Sequence, residues 1–257
     1  MIRESHFGEL SVLTAETTEE MAACAADDFA AHAERLLRGL PEINVVFAGA
    51  ESQGAFHAAL RTRRTIAWSR INAFSVDEFI APGMPPENAV SAQPRRDLYR
   101  HVPLRSVNVI DFAAPDPEAE RARYEALLAA HRPHLCCIGI GISGHIALNE
   151  PGATDFHDPR AVRIVSVCEE SKRQLERDPN FRALPAIPER GITTTIPFLL
   201  AAEHILVVVP YALKAPIIRR LRESPVTTEL PASILKERRN ARLYLDAGSA
   251  GLPAPGA

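Results

Sequence analysis

The chain has 257 residues, of which 46% are hydrophobic and 24% are charged, and this balance is typical of a globular protein that buries a core without cross-links. The formal net charge is −3, which excludes a basic field that would recruit nucleic acid or an anionic membrane. The N-terminus lacks the apolar segment of a signal peptide and no apolar stretch reaches 18 residues, so we expect a cytoplasmic protein.

Short strand-like runs alternate with helical patterns along the whole chain. In chain order they are strand 10–13, a helix capped by Thr17 or Thr18 and ending near residue 40, strand 44–48, helix 52–61, strand 71–76, helix 89–101, strand 107–110, helix 117–131, strands 135–140 and 162–167, helix 169–177, strand 205–209, helix 214–222 and strand 241–245. Near-continuous apolar strands that alternate with helices predict an α/β fold with a mostly parallel sheet and helices on both faces.

The chain shows no internal repeat or low-complexity tract that would divide it. We therefore expect one domain over residues 1–247. The end of the chain, residues 248–257, is rich in Gly, Pro and Ala, and a disordered tail is predicted there. In parallel sheets of this kind, ligands bind outside the carboxyl ends of the strands, so the ends of strands 44–48, 71–76, 135–140 and 205–209 should converge on one site.

Two carboxylates, Asp77 and Glu78, follow the strand 71–76. Because successive strand residues point to opposite faces, only one of them can point into a cleft. The pair could be an exposed turn. The alternative is a general base, since a partly desolvated carboxylate at a strand end has a raised pKa and can take a proton from carbon.

A glycine-rich run, Gly139-x-Gly141-x-x-Gly144, follows the strand 135–140. As a dinucleotide fingerprint it is weak, because His145 stands where the phosphate-binding helix would begin and no later acidic residue completes the pattern. The glycines instead suit a backbone that bends sharply beside a ligand. His145 and Glu150 are five residues apart and would not share a helix face, so they can meet only if this segment is a loop. A structural histidine is the alternative to a catalytic one.

A phosphate site requires positive charge and backbone amides, and both follow strand ends here. The turn 49–54 leads from a strand into a helix, Lys214 opens a helix after strand 205–209, and Arg173 offers a guanidinium. Each residue on its own could be an ordinary surface residue, and their placement after strand ends is what groups them. The candidates for substrate and phosphate binding are Gly49, Ser52, Gln53, Gly144, Arg173 and Lys214.

Cysteines and histidines give no metal-binding pattern in the sequence. Four cysteines occur without a C-x-x-C pair, and two of them, Cys136 and Cys137, lie in an apolar run, so buried thiols in a reducing compartment are expected rather than a catalytic thiol. His131 and His134 are three residues apart, but no third ligand is near. We therefore expect no metal.

Three segments together resemble the glucosamine-6-phosphate deaminase/isomerase family, which is related to the 6-phosphogluconolactonases. They are Val76-Asp77-Glu78-Phe79, the run GIGISGHIALNEP from Gly139 to Pro151, and Lys214-Ala215. The resemblance covers residues 45–245, and the Asn-Glu-Pro ending is similar to the deaminase branch. It implies a Rossmann-like α/β fold, a small sugar phosphate as substrate and no cofactor, and it leaves a homo-oligomer open.

The resemblance also implies a role for individual residues. Asp77 matches the carboxylate that moves a proton between C1 and C2 of the opened amino sugar, His145 the histidine that assists ring opening, and Glu150 the acidic partner of that histidine. Ser52 and Lys214 match phosphate-binding positions, and Arg173 matches the phosphate arginine across an alignment gap. The implied reaction converts a 2-amino-aldose 6-phosphate into a ketose 6-phosphate and releases ammonia.

The chain departs from the family pattern at two places. Ser143 stands where the well-known deaminases have an aspartate, and a serine cannot stabilise an imidazolium with a charge. Glu51 introduces a carboxylate into the phosphate turn, so either it points away from a bound phosphate or the ligand is a different one. Besides a deaminase, the sequence leaves open a lactonase or another sugar-phosphate enzyme, and a non-catalytic sugar-phosphate sensor.

Overall fold

The computed structural model describes residues 2–177, 181, 184 and 186–252 of the chain. Its strands are β1 (Arg3–Phe7), β2 (Leu10–Thr14), β3 (Ile43–Phe47), β4 (Ile71–Ser75), β5 (Asp77–Phe79), β6 (Ser106–Asn108), β7 (Leu135–Ile138), β8 (Val162–Ser166), β9 (Arg190–Thr194), β10 (His204–Val209) and β11 (Ala241–Leu245). Its α-helices are α1 (Thr18–Gly39), α2 (Gly54–Leu60), α3 (Ala92–Asp97), α4 (Pro117–Ala130), α5 (Glu169–Arg177), α6 (Ile196–Leu200) and α7 (Ala215–Glu223).

The central sheet has eight strands in the order β1-β2-β11-β10-β7-β3-β4-β6. The hairpin β1–β2 is antiparallel, and the other neighbouring pairs of this sheet are parallel. The predicted α/β fold with a mostly parallel sheet is therefore confirmed. The sequence did not predict β1, because its residues are polar and mostly exposed and so lack an apolar pattern.

Both faces of the sheet are covered, as alternating side chains along the strands show. Val46 and Cys136 pack on one face in a core that includes residues of α4 and α7. Val45 and Cys137 pack on the other face in a core that includes residues of α1 and α2. Because strand residues alternate between faces, strands that are buried on both sides read as continuous apolar runs.

A second, three-stranded antiparallel sheet has the order β5-β9-β8. The predicted strand 162–167 is present as β8, but it belongs to this small sheet rather than to the central one. The strands β5 and β9 were not predicted, because β5 has three residues and β9 is rich in threonine. The small sheet matters for the site because β5 carries Asp77.

The N-terminal cap of α1 identifies which of two adjacent threonines begins the helix. The Thr17 side chain accepts a hydrogen bond from the Glu20 amide at 3.1 Å. Thr18 lies inside the helix and donates to Asp246 at 2.6 Å. Thr17 is therefore the cap, and Thr18 ties the start of α1 to the end of β11.

Residues 248–252, which the sequence analysis assigned to a disordered tail, are partly packed in the structure. Ser249 is fully buried, and its amide donates to the Asp246 carboxylate at 2.7 Å. The tail boundary predicted at residue 248 therefore falls too early, because a composition of small residues does not reveal this turn. Residues 253–257 lie outside the described residues.

The order of the strands reverses between β3 and β7. From β3 the chain continues to β4 and β6 on one side, and from β7 it continues to β10 and β11 on the other. A crevice outside the carboxyl ends of the strands forms at such a reversal. The loops after β3, β4, β7 and β10 therefore define the expected site. In the part of the chain that the structure describes, no helix is long and apolar enough to span a bilayer.

Candidate active site

The segment after β7 is a loop. His145 and Glu150 can therefore approach each other, which they could not do on one helix. Gly144 has a φ of 91°, a conformation that side chains other than glycine rarely adopt. A Cβ atom on Gly141 would lie 2.0 Å from His145 Nε2, so only glycine leaves room for the imidazole. The glycines thus let the chain fold back, so that the His145 ring lies against the backbone of Gly141.

The side chains of Glu150, Ser143 and His145 form a hydrogen-bonded group, which we call the relay. Ser143 Oγ lies 2.8 Å from His145 Nδ1 and 3.1 Å from Glu150 Oε2. Glu150 Oε2 also lies 3.2 Å from His145 Nδ1. Ser143 and Glu150 are each 2% exposed, whereas the histidine side chain is 18% exposed. The relay is therefore buried at its acidic end and open at the imidazole.

The direction of these hydrogen bonds follows from the single proton of the serine hydroxyl. Ser143 donates that proton to Glu150, so its oxygen accepts a hydrogen bond from the Nδ1–H of His145. With the proton on Nδ1, the neutral imidazole keeps a lone pair on Nε2. Ser143, at the position of the family's aspartate, therefore links the Glu150 carboxylate to His145 by hydrogen bonds, although it carries no charge itself.

The environment of Glu150 keeps it ionised. Burial alone would raise the pKa of Glu150, but the hydrogen bond and charge interaction with His145, together with hydrogen bonds from Ser171 and Cys168, lower that pKa to about 2. The charged carboxylate lies 3.2 Å from His145 Nδ1, within ion-pair distance of the imidazole. Glu150 thus supplies the negative charge that Ser143 lacks.

Helix α5 contributes a further residue that the sequence analysis did not select. Ser171 Oγ lies 3.4 Å from His145 Nδ1 and accepts from Cys168 Sγ at 3.5 Å. Ser171 is buried. No spacing rule pointed to it, because it is 26 positions from the histidine and approaches only when α5 packs over the loop.

Asp77 and Glu78 face different surroundings, as alternation along a strand requires. Asp77 is half-buried on β5 and pairs in register with Thr193 of β9. Burial raises the pKa of Asp77 to about 7, and the negative charges of Glu78 and Glu150 add to the shift. A carboxylate with a pKa near neutral pH suits a group that both takes and returns a proton.

Glu78 has a structural role in the same strand. Its carboxylate is fully buried and accepts backbone amide hydrogen bonds from Phe79, Val90 and Ser91 at 2.9–3.0 Å. Burial raises the pKa of Glu78 to about 6 against the opposing effect of these donors. Glu78 therefore anchors the segment 89–91 beside β5, and the alternative of an exposed turn is wrong for this residue.

Strand β9 connects the strand of Asp77 to the histidine loop. The Leu148 amide donates to Thr193 Oγ1 at 3.1 Å, and Thr193 is the register partner of Asp77. Asn149 Nδ2 donates to the Thr194 carbonyl at 2.8 Å. These bonds hold the loop after β7 against the small sheet, which explains why Asp77 senses the charge of Glu150.

The turn after β3 lies against the beginning of the same loop. A Cβ atom on Gly139 would lie 3.0 Å from Gln53 Nε2 and 3.8 Å from Ser52 Oγ. Gln53 is buried, and its Nε2 donates to the Val208 carbonyl of β10 at 3.1 Å. Gln53 therefore fixes the turn to the sheet, and Ser52 lies beside Gly139.

The carboxylate of Glu51 points away from this turn. Glu51 Oε1 lies 3.9 Å from Arg96 Nη2 of α3, and the Glu51 side chain is 70% exposed. Although Glu51 departs from the family pattern, its carboxylate therefore does not point toward the loop after β7.

Lys214 reaches the histidine loop from the end of β10. Its Nζ donates to the Ile140 carbonyl at 2.8 Å, and the residue is 8% exposed. Burial lowers the pKa of Lys214 to about 8. The consecutive residues Gly139, Ile140 and Gly141 are thus contacted by the Ser52 turn, by Lys214 and by His145, respectively.

Arg173 is exposed on α5, two residues after Ser171. Among the hydrogen bonds and ion pairs of the described residues, none joins Arg173 to Ser52 or Lys214, so its role in phosphate binding stays a prediction. Residues 2–177, 181, 184 and 186–252 hold no group of three or more His, Cys, Asp or Glu side chains that could bind a metal ion.

The geometry defines an α/β protein with acid–base groups and a buried lysine around one glycine-rich loop, at the reversal in strand order. The family model described as glucosamine-6-phosphate isomerases/6-phosphogluconolactonase matches residues 16–244. The chain belongs to this family, whose members are enzymes.

Similar proteins include a glucosamine-6-phosphate deaminase from Lactobacillus delbrueckii subsp. bulgaricus, 31% identical over 187 residues, or 72% of this chain and 77% of the relative. A glucosamine-6-phosphate deaminase from Geobacillus sp. is 31% identical over 183 residues, covering 70% of this chain and 71% of the relative.

Solved structures share the fold. A monomeric glucosamine-6-phosphate deaminase superposes with a TM-score of 0.81 at 23% identity, over 94% of this chain and 99% of the other. The 6-phosphogluconolactonase of Trypanosoma brucei superposes with a TM-score of 0.73 at 16% identity, over 93% and 97%.

Proposed function

We propose that this protein is an amino-sugar-phosphate deaminase/isomerase that converts glucosamine 6-phosphate, or a related 2-amino-2-deoxyhexose 6-phosphate, into a ketose 6-phosphate and ammonia. The observation that carries the proposal is the convergence of three kinds of group on residues 139–141. The Ser52 turn contacts Gly139, Lys214 binds the Ile140 carbonyl, and His145 lies over Gly141. Asp77, with its raised pKa, approaches from β5.

Substrate binding in this proposal uses the end of the site near β3 and β10. The ammonium group of Lys214 is buried, so its attraction for a phosphate dianion is less screened than at the surface. Ser52 adds a hydroxyl donor. Binding the phosphate at this end places the C1–C2 end of the sugar toward His145 and Asp77.

Ring opening is assigned to His145. Its Nε2 accepts the proton of the C1 hydroxyl and returns a proton to the ring oxygen as the C1–O5 bond breaks. The imidazolium that forms in between is stabilised by ionised Glu150, directly and through Ser143. The open-chain aldehyde is the product of this step.

Isomerisation is assigned to Asp77. Its carboxylate removes the proton from C2 while the substrate's ammonium group gives a proton to O1, so that an enolamine forms. The carboxylate then returns its proton to C1, which leaves a protonated carbon–nitrogen double bond (C=NH2+) at C2. Water adds to C2 and ammonia leaves, so the product is the ketose 6-phosphate. Each step requires only proton transfer and water. A base with a pKa of about 7 suits both halves of the proton transfer at neutral pH.

The two relatives described above, each 31% identical, carry the name glucosamine-6-phosphate deaminase, which supports this reaction over lactone hydrolysis. The Asn149-Glu150-Pro151 ending of the loop supports the same branch. A pure sugar-phosphate sensor would have no need of a base with a shifted pKa. Lactonase and sensor activities are therefore alternatives that the experiment decides.

The test is an assay of ammonia release and ketose 6-phosphate formation from a panel of 2-amino-2-deoxyhexose 6-phosphates, with 6-phosphogluconolactone hydrolysis measured in parallel. We expect ammonia and ketose in equal amounts. Lactone hydrolysis without ammonia, or binding without turnover of either substrate, contradicts the proposal. Asp77→Asn should abolish turnover, whereas Asp27→Asn, at a carboxylate paired with Arg63 away from the loop, should not.

A further inference from the structure

Two glycines in the left-handed region bracket the charged residues of the relay. Gly144 has a φ of 91° and Gly152 a φ of 73°, and His145 and Glu150 lie between them in the chain. Both glycines contact one stretch of chain, residues 227–233, which we call the support turn. The support turn follows α7 and contributes no side chain to the relay. It nevertheless meets the loop at both ends of the segment that carries the histidine and the glutamate.

We propose that the support turn sets the spacing of His145 and Glu150, with Leu230 as the positioning residue for the relay. The inference rests on the proposed function, in which the relay opens the sugar ring. Leu230 has no titratable group and acts through Gly144. Its role is therefore positional rather than catalytic.

The first contact of the support turn is with Gly144. Leu230 is fully buried, and a Cβ atom on Gly144 would lie 2.3 Å from its Cδ1. The Ala232 amide donates to the Gly144 carbonyl at 2.9 Å. Close packing and a hydrogen bond thus both fix this glycine. Because Ser143 and His145 are its direct neighbours in the chain, any rotation of the backbone at Gly144 displaces both of their side chains.

The second contact is with Gly152, two residues after Glu150. The Gly152 amide donates to the Thr228 carbonyl at 3.4 Å, and a Cβ atom on Gly152 would lie 3.5 Å from Glu229 Oε1. This contact fixes the acidic end of the relay. The distance of 3.2 Å between His145 Nδ1 and Glu150 Oε2 is therefore spanned by a segment that is held at both ends.

The support turn is closed by bonds of its own. Ser233 is fully buried, and its Oγ accepts from the Thr227 amide at 2.8 Å and donates to the Thr227 carbonyl at 3.0 Å. The Leu230 amide donates to the same carbonyl at 3.1 Å. Arg220 of α7 donates to the Glu229 carbonyl at 3.0 Å. The turn thus keeps its shape without help from the loop, as a support requires.

An apolar contact can affect the rate because the hydrogen bonds of the relay are directional. The bonds of Ser143, at 2.8 Å to His145 and 3.1 Å to Glu150, weaken steeply when they are misaligned. A misplacement of about 1 Å can cost on the order of 100-fold in rate. Truncation of Leu230 leaves space under Gly144 into which the loop can move, so the relay loses its alignment.

The kinetic test compares wild type with Leu230→Ala and Leu128→Ala. Leu128 lies in α4 and is buried in the same hydrophobic core as Leu230. We expect Leu230→Ala to lower kcat for ammonia release at least about 10-fold, while KM and the affinity for inorganic phosphate stay within about 2-fold of wild type. Leu128→Ala should stay within about 3-fold in kcat. Equal losses in both variants, or a loss confined to KM, overturn the proposal.

A double-mutant cycle with Ser143→Ala separates a positional role from a general weakening of the fold. If Leu230 acts through the relay, Leu230→Ala lowers kcat less in the Ser143→Ala protein than in wild type, because the relay is already impaired there. If the two single effects simply multiply in the double variant, the proposal is wrong. The milder Leu230→Val takes the place of Leu230→Ala if the alanine variant does not fold.

Nitrogen NMR of the His145 ring tests the positioning without turnover. The ring signal is identified by its absence in His145→Gln. Leu230→Ala should shift the Nδ1 signal and speed exchange of its proton, whereas Leu128→Ala should leave both as in wild type. A wild type that releases no ammonia refutes the proposed function, and this measurement still decides the role of Leu230. Identical His145 signals in wild type and both leucine variants refute that role.

Discussion

Substituting Ser143 by alanine tests the relay most directly, because the change removes one oxygen and leaves both of its partners in place. The hydroxyl makes two hydrogen bonds, at 2.8 Å to His145 Nδ1 and at 3.1 Å to Glu150 Oε2, in a position that is 2% exposed. The direct contact between His145 Nδ1 and Glu150 Oε2, at 3.2 Å, survives the substitution. The substitution therefore weakens the interaction between Glu150 and His145 without abolishing it.

The expected effect is that of one buried hydrogen bond to a charged group. Such a bond is worth about 1.5–3 kcal/mol, which corresponds to a decrease of roughly 10- to 100-fold in kcat/KM if it acts fully in the transition state. The assay is ammonia release from glucosamine 6-phosphate under conditions where the wild type is active. Ser143→Asp is measured beside it, since a gain in rate would show that serine is weaker than a carboxylate at this position.

A matched control separates loss of the relay from loss of folding. Ser106→Ala removes a hydroxyl that donates to Asn72 at 2.7 Å and accepts from Asn108 at 2.9 Å, at the edge strand β6. It should leave kcat/KM within about 2-fold of wild type, as a change at a distant, independent site does. If Ser143→Ala also stays within 2-fold while folding normally, the serine does not transmit the charge of Glu150 and the relay is refuted.

Three further predictions concern the charged groups around the loop. Wild-type kcat/KM should rise as Asp77 ionises near pH 7 and fall above about pH 8 as Lys214 loses its proton, and a rate that is flat between pH 6 and 9 contradicts these assignments. The raised pKa of Asp77 favours its neutral form in the folded state, so its contribution to stability is present below about pH 4 and is lost as the pH rises through 7. In thermal unfolding, Asp77→Asn should therefore have the same free energy of unfolding as wild type at pH 4. At pH 8 its free energy of unfolding should be higher than that of wild type by about 2–4 kcal/mol. Glu78→Gln places an amide group against three backbone donors, so the free energy of unfolding in urea should fall by about 2–3 kcal/mol. Because the charge of Glu78 raises the pKa of Asp77, the same substitution should also move the acidic limb of the pH–rate profile to lower pH.

The central sheet could be predicted from the sequence because strands buried on both faces carry an apolar pattern that needs no tertiary information. The runs 44–48 and 205–209 correspond to β3 and β10 with boundaries shifted by one residue. The small sheet gave no such pattern. Its strand β9 reads Arg190-Gly-Ile-Thr-Thr194, and its pairing with β5 is long-range, so only the folded chain brings it beside Asp77.

The site was predictable to the extent that its residues follow strand ends or sit in one loop. His145, Glu150 and Lys214 were selected on that ground, and the structure brings all three to the same loop. Ser171 was not selected, because its approach depends on how α5 packs. Strand alternation predicts that Asp77 and Glu78 have different surroundings. It does not predict which of the two is fully buried, because that depends on where Val90 and Ser91 lie in the folded chain.

Two non-glycine residues with strained backbone conformations lie at the proposed phosphate end of the site. Ala50 and Tyr211 have φ values of 92° and 80°, and each directly precedes the short 3-10 turn that carries Ser52 or Lys214. Such conformations cost about 1–3 kcal/mol each and persist only where the surroundings over-determine them. Asp246 helps to hold one of them by accepting the Tyr211 amide at 2.9 Å. The folded chain bears this strain before any ligand arrives, so the turns that carry Ser52 and Lys214 are already ordered. Phosphate binding at the proposed site would therefore require little further ordering of these turns.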